Sequence, residues 1–314
     1  MKYFFSVLLL SCLWLQSSAQ VYKNEFGFTT ENDAYLATLN DRYYTNGLFL
    51  YYRRAINPAN FKTNIAKKTY EISVAQKIYT PYSGDAPIKE NQDRPFAGYL
   101  DAGATYSVFY KNEFVLKTTA QIGTVGSNSL AEKGQKLLHK TVGFYTPEGW
   151  EYQIKNELAI NLSANAAKLL YRTNDKIFDV TGEGYANLGT TFSGAGISAL
   201  LRIGKLNQLF NSSSYNATIG ETADKRFNEK EFFFYLRPKL NYVAYDATIQ
   251  GSLFNNDSPV TFGVKPIVYE QQAGVNYTIR RLSFDFSLIF KTKEVKSVAE
   301  AQNYGSFSMV YRFN

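Results

Sequence analysis

The chain has one cysteine, one histidine and eight prolines among its 314 residues, and no long apolar run beyond its first twenty. A helix that crosses a bilayer needs ~20 predominantly apolar residues, so spanning by helices is excluded. A lone Cys12 builds neither a disulfide framework nor a thiolate metal site. It also falls inside a leader. Met1-Lys2-Tyr3 is a positive start, Phe4 to Leu15 a short apolar run, and Gln16-Ser-Ser-Ala19 a small-residue cleavage site. Cleavage is expected after Ala19, so residues 1–19 are a signal peptide and 20–314 one mature domain without cysteine. The sequence Leu9-Leu-Ser-Cys12 invites a lipoprotein reading, but the apolar run continues through Leu13-Trp-Leu15 and argues against it.

Aromatic residues, by contrast, are abundant: 25 Tyr and 24 Phe in a chain of moderate polarity. After a secretory leader, that combination points to a β-barrel, whose strands alternate apolar and polar residues and never produce a hydropathy peak. The formal charge of +7, one unit of it from Lys2, suits anionic headgroups or phosphates and equally an ordinary solvated surface.

The last stretch is the clearest strand. Phe307, Met309, Tyr311 and Phe313 alternate with Ser306, Ser308, Val310 and Arg312, a two-residue period that puts one face in lipid and the other in a lumen. Tyr22, Asn24, Phe26 and Phe28 alternate likewise with Lys23, Glu25, Gly27 and Thr29. The same pattern places strands at 22–31, 43–54, 68–79, 98–109, 113–124, 150–162, 166–190 (with a break near Asn174-Asp175), 191–204, 231–247, 262–280, 281–293 and 304–313. The expected fold is all-β: a transmembrane antiparallel barrel of about twelve strands, set in the bacterial outer membrane. Residues 205–230, rich in Asn, Ser and Lys, read as a mobile loop. With both termini in the periplasm, the connections 31–43, 80–97 and 125–149 all emerge on the outer rim, and Tyr110-Lys-Asn112 is a periplasmic turn.

Those three rim loops hold the residues able to carry chemistry. Glu31-Asn32-Asp33 and Asp41-Arg42-Tyr43-Tyr44-Thr45-Asn46-Gly47 offer amide, carboxylate and hydroxyl oxygens that suit a hard cation such as Ca²⁺; capping of turns is the plainer reading. In Gln92-Asp93-Arg94-Pro95 the Asp-Arg pair either stiffens a rim loop or binds a phosphate. Lys77 and Lys89 flank that loop and are candidates for pairing with an anionic substrate. The third loop reads as a short helix. Ser129-Leu-Ala-Glu132 fits a capping box, Leu130, Leu137, Leu138 and Val142 form an apolar stripe, and Gly143 stands where a helix stops. Gln135 and His139, four residues apart, project from one side, with Glu132 nearly on the same face. A histidine on a helix is often structural or simply exposed. Here no second histidine or cysteine shares the work, and a triad with Ser127 or Ser129 is hard to build. An imidazole beside an oxygen-ligated cation suggests instead that His139 takes a proton from water, which attacks an ester while the cation stabilises the oxyanion.

In these motifs, together with Asp93-Arg94-Pro95-Phe96-Ala97-Gly98, Gly126 through Gln135, and Gly149-Trp150-Glu151-Tyr152-Gln153, the chain resembles the outer-membrane lipid A deacylase family of the LpxR type. The resemblance covers the first half of the mature chain in motif order; the second half is similar only as barrel sequence. It implies a twelve-stranded barrel with its site between the wall and a helix from a surface loop. It also implies Ca²⁺-dependent hydrolysis of the 3′-acyloxyacyl group of lipid A, the anchor of lipopolysaccharide. By that resemblance His139 is the general base, Asn32, Asp33, Thr45 and Gln135 line the site, and Asn32 and Asp33 touch the metal. One departure stands out: some relatives carry a carboxylate six residues after the histidine, where this chain has Tyr145, so that Glu148 or a different metal shell takes its place. The expected partner is lipopolysaccharide in the outer leaflet; no nucleic acid is expected, and the barrel is expected to be a monomer. Two other readings stay open, an outer-membrane phospholipase A with a serine nucleophile and a non-catalytic barrel or porin.

Overall fold

The computed structural model describes residues 21–36, 41–221 and 229–314. The expected signal peptide, with Cys12, lies outside them. Among the described residues, the first six strands are β1 (Asn24–Asn32), β2 (Tyr43–Ala55), β3 (Ile65–Thr80), β4 (Ala97–Tyr110), β5 (Phe114–Val125) and β6 (Glu157–Arg172). The other six are β7 (Phe178–Gly189), β8 (Phe192–Lys205), β9 (Lys230–Asp246), β10 (Ile267–Ile279), β11 (Leu282–Lys291) and β12 (Gln302–Phe313). Each pairs antiparallel with its sequence neighbour, and β1 pairs with β12, so the sheet closes. Closure leaves no unpaired edge, a condition for backbone placed in hydrocarbon.

Alternation decides which side chain goes where. In β3, Ile72 and Val74 are exposed on the outer wall, while Glu71 and Lys77 line cavities inside the barrel. Arg53 bridges Glu25 and Glu71 in that interior. Charges face the lumen and apolar side chains face lipid, as period two requires.

Some expected boundaries shift. The segment expected as strand 150–162 opens with a 3₁₀ turn, Trp150–Tyr152, and β6 begins only at Glu157. Gly149 before that turn has φ 102°, and Gln153 and Ile154 close it into loop structure. The expected strand 166–190 divides into the end of β6 and β7, at the Asn174-Asp175 turn. β10 starts at Ile267, five residues later than expected.

The loop expected to be mobile is instead packed over its described part. Leu206, Leu209, Phe210 and Tyr215 join Phe109, Val115, Leu200 and Phe233 in one buried cluster. Fully buried Glu231 accepts hydrogen bonds from Asn207 N at 2.9 Å, Ser212 Oγ at 2.8 Å and Ser213 N at 2.9 Å. The polar composition that imitates a flexible loop here satisfies a charged lumen wall. Residues 222–228 of that loop lie outside the described part.

Candidate active site

The outer rim is where the long connections 81–96, 126–156 and 247–266 leave the barrel. The middle one carries helix α1 (Ala131–Val142), which packs on the outside of the wall. A row of partners crosses the strands beneath it: Asn32 opposite Asn46, Asn46 opposite Ile78, and Ile78 opposite Gly98. Ile78 has the parity of Ile72 and Val74, so the row lies on the lipid side. Ala131 packs with Ile78, Phe96 and Trp150 in a buried cluster. Any side chain at Gly98 would strike Ser129 and Ala131, which is why the helix sits so near β4.

The helix does not follow the expected capping. Leu130 at its start is left-handed (φ 60°) and caps nothing with its side chain. Ser129 Oγ donates to Gly126 O at 2.5 Å, and Glu132 pairs with Lys136 at 2.7 Å. The capping box is therefore not formed, and Glu132 belongs to the surface rather than to the site. Gly143 does end the helix, with φ 80° and its N–H on His139 O at 2.9 Å. The buried face is Ala131, Gln135 and His139, whereas the apolar stripe Leu130, Leu137, Leu138 and Val142 is exposed.

That inversion arises because the buried face bonds rather than packs. His139 is 4% exposed. Its Nδ1 meets Tyr145 O at 2.8 Å and its Nε2 meets Asp41 Oδ2 at 3.1 Å. Gln135 Nε2 donates to Asp41 Oδ2 at 2.9 Å, and Trp150 Nε1 donates to Gln135 Oε1 at 2.8 Å. Tyr145 Oη donates to Asp41 Oδ2 at 2.6 Å and accepts from Gly84 N at 3.1 Å. Burial, then the Asp41 bond, push the Tyr145 phenol well above its ordinary range, so it stays a donor. The Nδ1 bond to a carbonyl needs a proton on Nδ1, and the Nε2 contact with the Asp41 carboxylate needs a second proton between those two atoms. Phe144 and Tyr145 stand edge-on to the ring, with centroids at 5.6 and 4.9 Å.

Asp41 is the residue whose role sequence reading missed, although it opens the Asp41-Arg42-Tyr43-Tyr44-Thr45-Asn46-Gly47 segment. His139, Gln135 and Tyr145 all converge on its Oδ2, and it comes from the first rim loop rather than the helix. Glu148 is exposed, and only its backbone is engaged, with Gly84 and Ala86. Asp33 lies beside this hub. Its Oδ2 accepts from Arg42 N at 2.9 Å. Burial, reinforced by the nearby Asp41 charge, raises its carboxyl to about 8 against the lowering pull of backbone N–H groups. Asn32 Oδ1 accepts from Ala34 N at 2.7 Å, the turn-capping role. Thr45 is buried at a bulge between Tyr44 and Asn46, and its hydroxyl donates to Ile78 O at 3.3 Å. Asn32 and Thr45 thus border the row under the helix; His139, Gln135, Asp41 and Tyr145 are in direct contact.

The second loop is support. Asp93 accepts from Tyr43 Oη and Tyr82 N, each at 2.8 Å. Arg94 is buried, stacks on Tyr79 at 4.3 Å and donates to Thr248 Oγ1 at 3.0 Å. Lys77 points into the lumen among Phe49, Tyr99 and Phe192, away from the site. Ser127 bonds Asn156 and Ser129 bonds Gly126; neither touches His139.

A closed antiparallel barrel with apolar outer walls, carrying a buried histidine–carboxylate cluster between a helix and the outside of one rim, is an outer-membrane protein with a polar site against its lipid-facing wall. The family follows from comparison: the model of the family described as "Outer membrane protein LpxR" matches residues 4–313, and the chain belongs to that family. The solved LpxR from Salmonella typhimurium superposes with a TM-score of 0.73 at 19% identity, covering 92% of this chain and all of that one. The β domain of the Bordetella autotransporter BrkA aligns over 94% of this chain and 99% of its own, at 8% identity and a TM-score of 0.46. The translocator domain of NalP from Neisseria meningitidis aligns over 99% and 95%, at 11% and 0.40. No curated protein matches in sequence.

Proposed function

We propose that this protein is a lipid A 3′-O-deacylase, a carboxylic ester hydrolase that removes the 3′-acyloxyacyl chain in the outer leaflet. One observation carries the reading: His139 is bonded to Asp41 on the lipid-facing side of the rim, where a membrane ester reaches it laterally. With the proton between Nε2 and Asp41 released, Nε2 of His139 takes the proton of a water that enters beside Asp41, and the resulting hydroxide adds to the ester carbonyl; the tetrahedral intermediate then collapses, breaking the bond to the sugar 3′-oxygen, which takes the proton back from Nε2. The Asp41 carboxylate stabilises the imidazolium so formed, and the Tyr145 carbonyl holds the ring in place. Such proton transfer contributes roughly 10²–10⁴-fold.

The donors fit a calcium ion. Asp33 and Asp41 are neighbouring carboxylates that carry no Lys or Arg ion pair among the described residues, and burial leaves Asp33 in want of a proton or a cation. Among the described residues no three His, Cys, Asp or Glu converge as a ready metal cage, so amide, carbonyl and water oxygens would complete the shell, as calcium accepts. Asp33 would hold the ion with Asn32; when bound, it would supply charge to stabilise the oxyanion.

The test is release of the acyloxyacyl unit from purified lipid A, with and without chelator and after a serine-directed fluorophosphonate. Release that calcium restores and the fluorophosphonate leaves intact is expected. Covalent labelling of one serine with loss of activity would transfer the protein to the phospholipase A reading.

A further inference from the structure

Helix α1 has three sides rather than two. At about 100° per residue, Ala131, Gln135 and His139 form the face against the barrel. Leu130, Leu137 and Leu138 fall on one flank, with Gly134 among them, and Val142 is exposed at the end of the helix. Lys133, Lys136 and Lys140 form the third side, which adjoins the apolar flank at Leu137. Leu137 is 67% exposed and Leu130 50%, and Phe144 just past the helix is also exposed. Lys136 pairs with Glu132, while Lys133 and Lys140 make no ion pair among the described residues.

The direction of each flank is set by Gly134. A side chain there would meet Gln76 Oε1 at 3.3 Å. Gln76 lies on the outer face of β3, between Ile78 under the helix and the lipid-exposed Val74 and Ile72. Gln76 Nε2 also donates to Ser129 O at 2.6 Å. The flank containing Gly134 is therefore the one turned toward the membrane, and its leucines continue the apolar wall of β3 and β2. The lysines are turned away from Gln76 and the apolar wall below it.

We propose that α1 is an interfacial helix seated in the outer leaflet of an anionic, multiply acylated lipid membrane. Its apolar flank lies among acyl chains and its lysine flank faces phosphates, the arrangement by which basic amphipathic helices lie in an interface. The leaflet covers the exposed leucines, and it holds His139 at the boundary between chains and headgroups. The inference concerns burial of the helix and does not depend on the esterase reading.

The experiment places a cysteine at Leu137 or at Lys140 (L137C, K140C), labels it with an environment-sensitive nitrobenzoxadiazole, and reconstitutes the protein in vesicles of lipopolysaccharide and phospholipid. The unsubstituted protein serves as blank for Cys12, and heat-modifiable migration confirms folding. Spin-labelled acyl chains should quench the label at 137 several-fold more than at 140, with bluer emission at 137. Equal, water-like emission at both positions would overturn the proposal, as would stronger quenching at 140. Quenching at 137 that depends on protein density rather than on spin label would assign the flank to a second copy and also overturn it.

Discussion

At the scale of single residues, the proposed chemistry depends on an imidazole held between a carbonyl and a carboxylate. His139→Ala and His139→Asn should each lower turnover by roughly 10²-fold or more while heat-modifiable migration of the barrel is unchanged; a variant retaining near-parent kcat would remove the base. Asp41→Asn keeps the shape of the hub and loses its charge, so kcat should fall roughly tenfold or more with KM little changed. A matched rise in KM alone would make Asp41 a substrate contact instead. Asp33 yields a pH effect. Its carboxyl is raised from 3.8 to about 8, so the protonated form is favoured in the fold. Without calcium, that stabilisation is complete below the ordinary carboxyl range and is lost as pH rises through about 8. A cation needs the ionised form, so calcium affinity should increase with pH toward 8, with proton release near neutrality. Calorimetry in buffers of differing ionisation heat measures this, and binding without proton release would exclude Asp33 as the ligand. That Gln135 and His139 share one face was legible because four-residue spacing on a short helix leaves few arrangements. Asp41 was not, since its partners are 94 and 98 positions away and no local pattern announces such a contact.

At the scale of elements, the helix shows where a periodicity argument misleads. The spacing of Leu130, Leu137, Leu138 and Val142 identified a helix correctly, but which side it buries depends on the environment beyond the chain. In water an apolar stripe seeks the core; beside a bilayer it can seek lipid, and the polar side is then free to build a site. The capping box failed for a related reason: Ser129 is spent on Gly126 and Glu132 on Lys136. Two glycines test the seating of the helix. Gly98→Val introduces atoms against Ser129 and Ala131, and should lift α1 from the wall. Protease sensitivity within 126–156 should increase and activity should fall, while the barrel remains folded; unchanged protection would contradict the packing. Gly84→Ala places a carbon 2.5 Å from Asp41 Oδ2 and 2.6 Å from the Tyr145 hydroxyl. It should reduce kcat more than it reduces stability.

At the scale of the whole molecule, strand count and the meeting of the three loops at one rim were readable because lipid on one side and a polar lumen on the other impose period two on every strand. Boundaries failed at Trp150–Gln153, where apolar residues serve the rim cluster with Phe96 and Ile78 rather than a strand. The 206–221 segment misled because Asn and Ser satisfy a charged lumen as readily as solvent. With that segment packed inside the periplasmic end, the protein should carry no steady current in planar bilayers; porin-like unitary conductance would restore the channel reading. The most direct test of the central claim is mass spectrometry of lipid A from cells with the protein, with its His139→Ala variant, and without it. A loss of mass equal to one acyloxyacyl unit, located at the 3′ position and seen only with the unsubstituted protein, is the predicted result. An identical lipid A spectrum in all three would contradict the account.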